Sequence, residues 1–298
     1  MMSNESGAMS EELSRWQNKT EESLNKYLAD KNLSYGRLIE SMRYSLLAGG
    51  KRIRAVMCVK FCQASGGNPE AALAAACAIE MLHSYTLIHD DLPCMDDDYM
   101  RRGKPSNHIE FGEYTAVLAG DALQAFAFET LLSSDLPPEA IVKMAQILAE
   151  AAGPYGVCGG QYLDLSGEGK TLSLDEVLAI HSLKTSALIS AGTRIGVIAG
   201  GGTPAQIEAA EQYAQTVGLA FQVRDDVLDC TATEEELGKP IGSDKASGKT
   251  TFVSLLGIDG CEEMIRKQTE KAIAAIDGKY VDTDFLVWLA RQLAERKS

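Results

Sequence analysis

The chain has 298 residues, 45% of them hydrophobic, and a formal net charge of −14. That length can bury one large core or two smaller ones, while the acidic balance argues against binding nucleic acid or an anionic membrane surface. The seven cysteines, odd in number and without a C-x-x-C pair, exclude a disulfide framework and suit a reducing cytoplasm.

Residues 1–10 read as a loose polar tail without the basic-then-apolar pattern of a secretion signal. No stretch approaches the ~20 uncharged apolar residues of a membrane span, so no membrane insertion is expected. From Glu11 onward, apolar residues recur with helical period over 11–30, 34–48, 53–64, 70–92, 112–132 and 138–152. The pattern resumes over 173–181, 185–200, 204–217, 218–230, 260–276 and 283–296. Pro69 stands at a first helical position, and Ser173 with Glu176 and Thr203 with Gln206 have capping-box spacing. No Gly/Ser/Pro linker marks a boundary, so residues 11–298 are expected to form a single all-α domain of about ten to thirteen helices.

Taken in order, the chemistry begins at Gly49-Gly50-Lys51-Arg52-Ile53-Arg54. The glycines leave room for close backbone approach, and Lys51 and Arg54 can reach one anion from three residues apart; an ordinary solubilising loop is the alternative. An apolar helical run then ends in His89-Asp90-Asp91-Leu92-Pro93-Cys94-Met95-Asp96-Asp97-Asp98. Pro93 stops the helix, placing Asp90 and Asp91 in its last turn and returning Asp96 through a short loop. Such clusters spread into solvent, protonate or bind cations. His83, two turns before Asp90, is either a satisfied core histidine or a phosphate donor. Arg101-Arg102-Gly103-Lys104-Pro105 follows, and either neutralises the acids or recognises phosphate in a bidentate manner.

The acid pattern recurs at Gln222-Val223-Arg224-Asp225-Asp226-Val227-Leu228-Asp229, where Asp225 and Asp229 share one helix face. Hard oxygen donors without a Cys/His set suggest Mg²⁺, and sparse carboxylates around Mg²⁺ imply that substrate phosphates complete the shell. Cys230 to Thr251 is polar, Gly-rich and without helical period, the profile of a lid. Within it, residues 242–250 imitate a P-loop but have five residues between the glycines where the motif needs four, so ATP binding is rejected.

This ordered set resembles the trans-isoprenyl diphosphate synthases, and among them the bacterial farnesyl diphosphate synthases. The correspondence runs through Gly-Gly-Lys-Arg-x-Arg, Asp90-Asp91-x-x-x-x-Asp96, Arg-Arg-Gly-Lys-Pro, Gly159-Gly160-Gln161-x-x-Asp164, Lys184-Thr185, Phe221-Gln222, Asp225-Asp226-x-x-Asp229 and Gly248-Lys249-Thr250. Ala55 departs from it, since the family usually has Pro there. The resemblance implies an isoprenoid-synthase bundle around a central cavity, assembled as a homodimer. It implies roughly three Mg²⁺ ions per active site, held by Asp90, Asp91, Asp96, Asp225 and Asp229. Arg101, Lys184, Thr185, Gln222, Lys239 and Lys249 are implied at the allylic diphosphate, with Lys184, Thr185 and Gln222 at the reacting centre. Lys51, Arg54, His83 and Arg102 are implied at isopentenyl diphosphate.

The implied reaction is head-to-tail condensation of isopentenyl diphosphate with dimethylallyl or geranyl diphosphate, by ionisation, condensation and elimination. Tyr85 lies five residues before Asp90, roughly 7 Å along the helix, where its ring, with Thr86 beside it, is expected to stop the product at fifteen carbons. An ordinary core aromatic is the plainer reading of Tyr85. Alternatives are the same chemistry stopping at ten or twenty carbons, or a non-catalytic regulatory subunit, which should carry a damaged acid motif. A terpene cyclase would not need the second basic group.

Overall fold

The computed structural model describes residues 2–28, 33–231 and 249–296. Lys239 and most of the expected lid lie outside the described residues. The chain divides into two compact units, Met1–Leu148 with Ile195–Gly201, and Ala149–Arg194 with Gly202–Ser298. Both are built from helices, as the apolar periodicity predicts.

In the first unit, α1 (Met2–Tyr27), α2 (Gly36–Leu46), α3 (Ile53–Ala64) and α4 (Leu73–Asp90) are followed by α5 (Asn107–Phe111), α6 (Glu113–Leu132) and most of α7 (Pro138–Ala152). A two-stranded hairpin, β1 (Met100–Arg101) and β2 (Lys104–Pro105), pairs antiparallel between α4 and α5. Helix α4 lies at the centre of this unit: Ala75, Ala76, Ala78, Ile79, Met81 and Leu82 are fully buried. Small residues on α4 allow close approach by its neighbours α1, α3 and α6. Helix α1 begins at Met2, so helix replaces the expected tail; its first described side chains are largely exposed, and Trp16 and Leu24 anchor it farther along.

The stretches Pro69–Asp90 and Glu113–Leu132 are long and apolar enough to cross a membrane by length and composition alone, although each carries charged residues. Most of the first is buried against its own unit, which accounts for its apolar character without a bilayer. A 3₁₀ turn, Pro69–Ala72, precedes α4 and is capped by the Asn68 side chain, which accepts the Glu70 N–H at 3.1 Å.

The second unit contains α8 (Val157–Gly167), α9 (Leu174–His181), part of α10 (Ala187–Ala199), α11 (Pro204–Thr231), α12 (Phe252–Ile276) and α13 (Asp284–Glu295). Its core gathers Val177, Val223, Val227, Phe252, Cys261 and Ile265. Both predicted capping boxes form: Ser173 with Glu176, and Thr203 with Gln206. The two helices expected over 204–230 are one, because Gly218 sits mid-helix against Ser186, where a side chain has no room. Helix α12 starts eight residues before the periodicity suggests, and Gly257 breaks its first turns at φ 68° and ψ 170°.

One close approach in the first unit has a measurable consequence. A Cβ on Gly120 of α6 would lie 2.1 Å from His89 Nε2, and His89 Nε2 contacts the Val117 carbonyl at 3.0 Å. Gly120→Ala should therefore lower stability by about 1–3 kcal/mol, read from urea unfolding midpoints. An unchanged midpoint would mean that His89 swings clear of α6.

Candidate active site

In the first unit, the acid loop forms as its spacing requires. Helix α4 ends at Asp90, and the Asp96 N–H donates to the Asp90 carbonyl at 2.9 Å, folding the loop back over the helix end. Asp91 is buried and takes the Arg101 guanidinium, with Nε at 2.9 Å, while Asp98 accepts from Arg101 Nη2 at 2.9 Å. Burial pushes the Asp91 carboxyl up, partly offset by Arg101. Burial opposes the Arg101 charge too, and the bond to Asp91 outweighs it, so the guanidinium is held above its ordinary value.

The hairpin is what the sequence reading did not foresee. Arg102 (φ 52°) and Gly103 (φ 74°) form its turn, the left-handed pair typical of a two-residue hairpin connection. This turn aims Arg102 back at the glycine loop: its guanidinium packs on Gly50, where a Cβ would meet it at 3.0 Å, and donates to the Gly49 carbonyl. The two basic motifs, separate in sequence, therefore meet. His83 lies among these cations; burial first, then Arg54, Arg102, Arg52 and Arg101, hold its pKa well below the ordinary value. Burial also lowers Arg54, opposed by Glu80, and the Arg54 Nε is buried without a protein partner. Lys51 is exposed in the loop, its carbonyl accepting from Gln17 at 2.6 Å. Tyr85 is 5% exposed, with its ring edge-on to His89 at 5.8 Å; Thr86 is buried and donates to the His83 carbonyl.

In the second unit, a π-helical turn, Ser182–Ser186, carries Lys184 and Thr185, a distortion common at functional sites. The paired glycines explain how α8 reaches it, since a Cβ on Gly160 would lie 2.2 Å from the Lys184 nitrogen. Asp164 then accepts Lys184 Nζ at 2.6 Å and Lys249 Nζ at 3.5 Å. Burial works to raise the Asp164 carboxyl, and the two lysines outweigh it, leaving it below its ordinary range. Thr250 ties the same stretch to the loop at Lys170 and Leu172.

On α11 the adjacent acids divide their tasks. Asp226 is buried and accepts the Phe252 N–H at 2.7 Å, anchoring the start of α12. Asp225 accepts from Gln222 at 3.2 Å and pairs with Arg296 at 2.5 Å. Asp229 is buried one turn on. Arg224 within the motif forks onto Glu262 and also donates to the Ala294 carbonyl. Arg296, which also stacks over Phe221 at 3.8 Å, was invisible in the sequence because nothing near the C-terminus shares a motif with α11.

His181 was likewise missed. It closes α9 and stacks on Phe252 at 5.0 Å. Its one sequence cue was its position three residues before Lys184. Among the described residues no group of three or more metal-binding side chains is preassembled. The candidate donors named from the sequence are all carboxylates, a type that fits a hard divalent cation whose remaining ligands come from elsewhere.

A profile of the polyprenyl synthetase family matches residues 36–283. The chain belongs to the polyprenyl synthetase family. It is 43% identical over 263 residues to the farnesyl diphosphate synthase of Geobacillus stearothermophilus, covering 87% of this chain and 89% of that one. It is 47% identical over 242 residues to the chloroplastic geranylgeranyl pyrophosphate synthase of Capsicum annuum, covering 80% of this chain and 66% of that one. Among solved structures, it superposes on an apo FPP/GFPP synthase from Zymomonas mobilis with a TM-score of 0.87 at 34% identity, covering 97% of this chain and 99% of that one. The corresponding figures for the geranylgeranyl pyrophosphate synthetase of Pyrococcus horikoshii are 0.89, 33%, 96% and 99%. The fold is the all-α isoprenoid-synthase fold, and the polyprenyl synthetase is a prenyltransferase of head-to-tail condensation that works with a divalent metal.

Two half-buried histidines make stability depend on pH. Burial, with Lys184 adding and Asp164 and Gln222 opposing, lowers His181 to about 4, whereas an unfolded histidine titrates near 6.5. Between these values the unfolded chain binds a proton that the folded chain refuses, so stability falls as pH drops from about 6.5 toward 4. His83 adds to the same slope. In urea unfolding followed from pH 7.5 to 5, His181→Gln should flatten this dependence; an unaltered slope would show that His181 titrates normally.

Proposed function

We propose that this prenyltransferase is a Mg²⁺-dependent farnesyl diphosphate synthase, extending dimethylallyl and then geranyl diphosphate with isopentenyl diphosphate. In this reading Asp90, Asp91, Asp96, Asp225 and Asp229 are the Mg²⁺ ligands, roughly three ions serving each active site. Bound Mg²⁺ neutralises the charge that appears on the departing diphosphate. Lys51, Arg54, His83 and Arg102 take isopentenyl diphosphate, which suits a cluster whose guanidiniums are held together before any anion arrives. Lys184 and Lys249, with Arg101 and Lys239, take the allylic diphosphate; Lys184 and Lys249 exchange Asp164 for phosphate oxygens as it enters.

The chain's own groups then do two things. They concentrate positive charge where the leaving group departs, which is preorganised electrostatics. Thr185 and Gln222 turn dipoles toward the allylic cation without offering a nucleophile that would trap it. Isopentenyl diphosphate attacks through its double bond, and the proton lost on elimination passes to the departed diphosphate. In the same reading the enzyme is a cytoplasmic homodimer made of a single catalytic domain.

The observation that carries the fifteen-carbon assignment is Tyr85: a buried ring, 5% exposed, five residues before Asp90 on α4. Relatives at 43% and 47% identity are named for fifteen- and twenty-carbon products respectively, so overall similarity favours neither length. The twenty-carbon reading draws its support from the second of these figures.

Purified protein incubated with isopentenyl and dimethylallyl diphosphates plus Mg²⁺ should release chiefly farnesyl diphosphate on chromatography, and excess chelator should abolish turnover. A twenty-carbon main product, or undiminished activity in chelator, would refute the corresponding half of the assignment. Tyr85→Ala should lengthen the main product by at least one five-carbon unit, because it removes the ring while leaving the acid loop in place. Unchanged product length would relieve Tyr85 of that role.

A further inference from the structure

Glu80 lies on α4, three residues before His83, and is 2% exposed. It is a buried carboxylate among arginines, and no step of the reaction above uses it. Its Oε1 accepts the Ala55 N–H at 3.2 Å, and its Oε2 faces Arg52 Nη1 at 3.4 Å. Ala55 is the third residue of α3, so its N–H has no acceptor within its own helix. Glu80 therefore caps α3 from a neighbouring helix and sets a negative charge at its positive end.

Arg52 is the other half of the arrangement. It is 3% exposed, left-handed at φ 47° and ψ 30°, and its Nη2 donates to the Leu46 carbonyl at 2.6 Å. A buried non-glycine residue in that region is strained, and the contact with Glu80 offsets the strain. The left-handed residue sits between Lys51 and Arg54 and sets the angle at which α3 begins. Glu80 binds that residue and the first turn of α3 together, and its charge opposes the burial of both Arg54 and Arg102.

We propose that Glu80 is a positioning residue for isopentenyl diphosphate, holding the start of α3 so that Arg54 meets Arg102, and supplying the counter-charge that lets these cations gather before substrate arrives. This rests on the assignment of Lys51, Arg54, His83 and Arg102 to that substrate. Glu80→Gln keeps an acceptor for the Ala55 N–H and removes the charge. With isopentenyl and geranyl diphosphates varied separately, it should raise KM for the former about tenfold while kcat and KM for the latter stay within about twofold. Glu80→Asp should recover part of the loss.

Arg54→Gln, assayed alongside, separates the two ideas. If it leaves KM for isopentenyl diphosphate unchanged, the underlying assignment fails and takes the Glu80 role with it. If it raises that KM and Glu80→Gln does not, the assignment stands and Glu80 has no positioning role. Should Glu80→Gln fold poorly, the double variant Glu80→Met with Arg52→Met replaces the buried pair by apolar side chains, a change cores often accept. A folded double variant with raised KM for isopentenyl diphosphate supports the proposal; a wild-type KM overturns it.

Discussion

Like charges held close together repel one another, and the structure is arranged around that repulsion. Two unit charges ~4 Å apart interact by about 4 kcal/mol at an effective dielectric near 20, comparable to a large share of a typical net folding stability. Within each unit, the clustered charges are given internal counter-charges. Arg52 has Glu80, Arg101 has Asp91 and Asp98, Lys184 and Lys249 share Asp164, and Asp225 has Arg296. Removing one member of a buried pair is costly because the other is left uncompensated.

Glycine is the second means by which the site is built, and its use is steric. Gly160 lets α8 come within reach of the Lys184 backbone, Gly50 lets the Arg102 guanidinium rest on the α-carbon, and Gly218 opens α11 to the turn holding Ser186. In each case the space a Cβ would fill is taken by a residue of the basic or reacting group, or by its immediate neighbour. The π-turn at Ser182–Ser186 follows the same logic, since an added residue in the helical ladder alters the direction in which Lys184 and Thr185 leave the backbone.

Adjacent residues of one motif thus serve different ends. Asp225 meets Gln222 and Arg296, whereas Asp226 anchors the start of α12 through the Phe252 N–H. Arg101 engages the acid loop, whereas Arg102 turns away to the glycine loop. Which member of each pair faces which neighbour is decided by a hairpin or helix turn of one residue.

Much of this was legible in the chain itself. Helical periodicity specified an all-α fold, the capping boxes at Ser173 and Thr203 started their helices as expected, and Pro93 ended α4 at the acid loop. These are local: caps, periods and breakers act within one or two turns. The helix at Val157–Gly167 was passed over because its glycines lower helix propensity, and tertiary packing overrode that. The left-handed Arg102, the π-turn, the Arg296–Asp225 pair and the Glu80 cap on α3 were decided only by the folded chain. Each joins residues distant in sequence, or strains a backbone whose compensation comes from elsewhere, and no local pattern records such a partner.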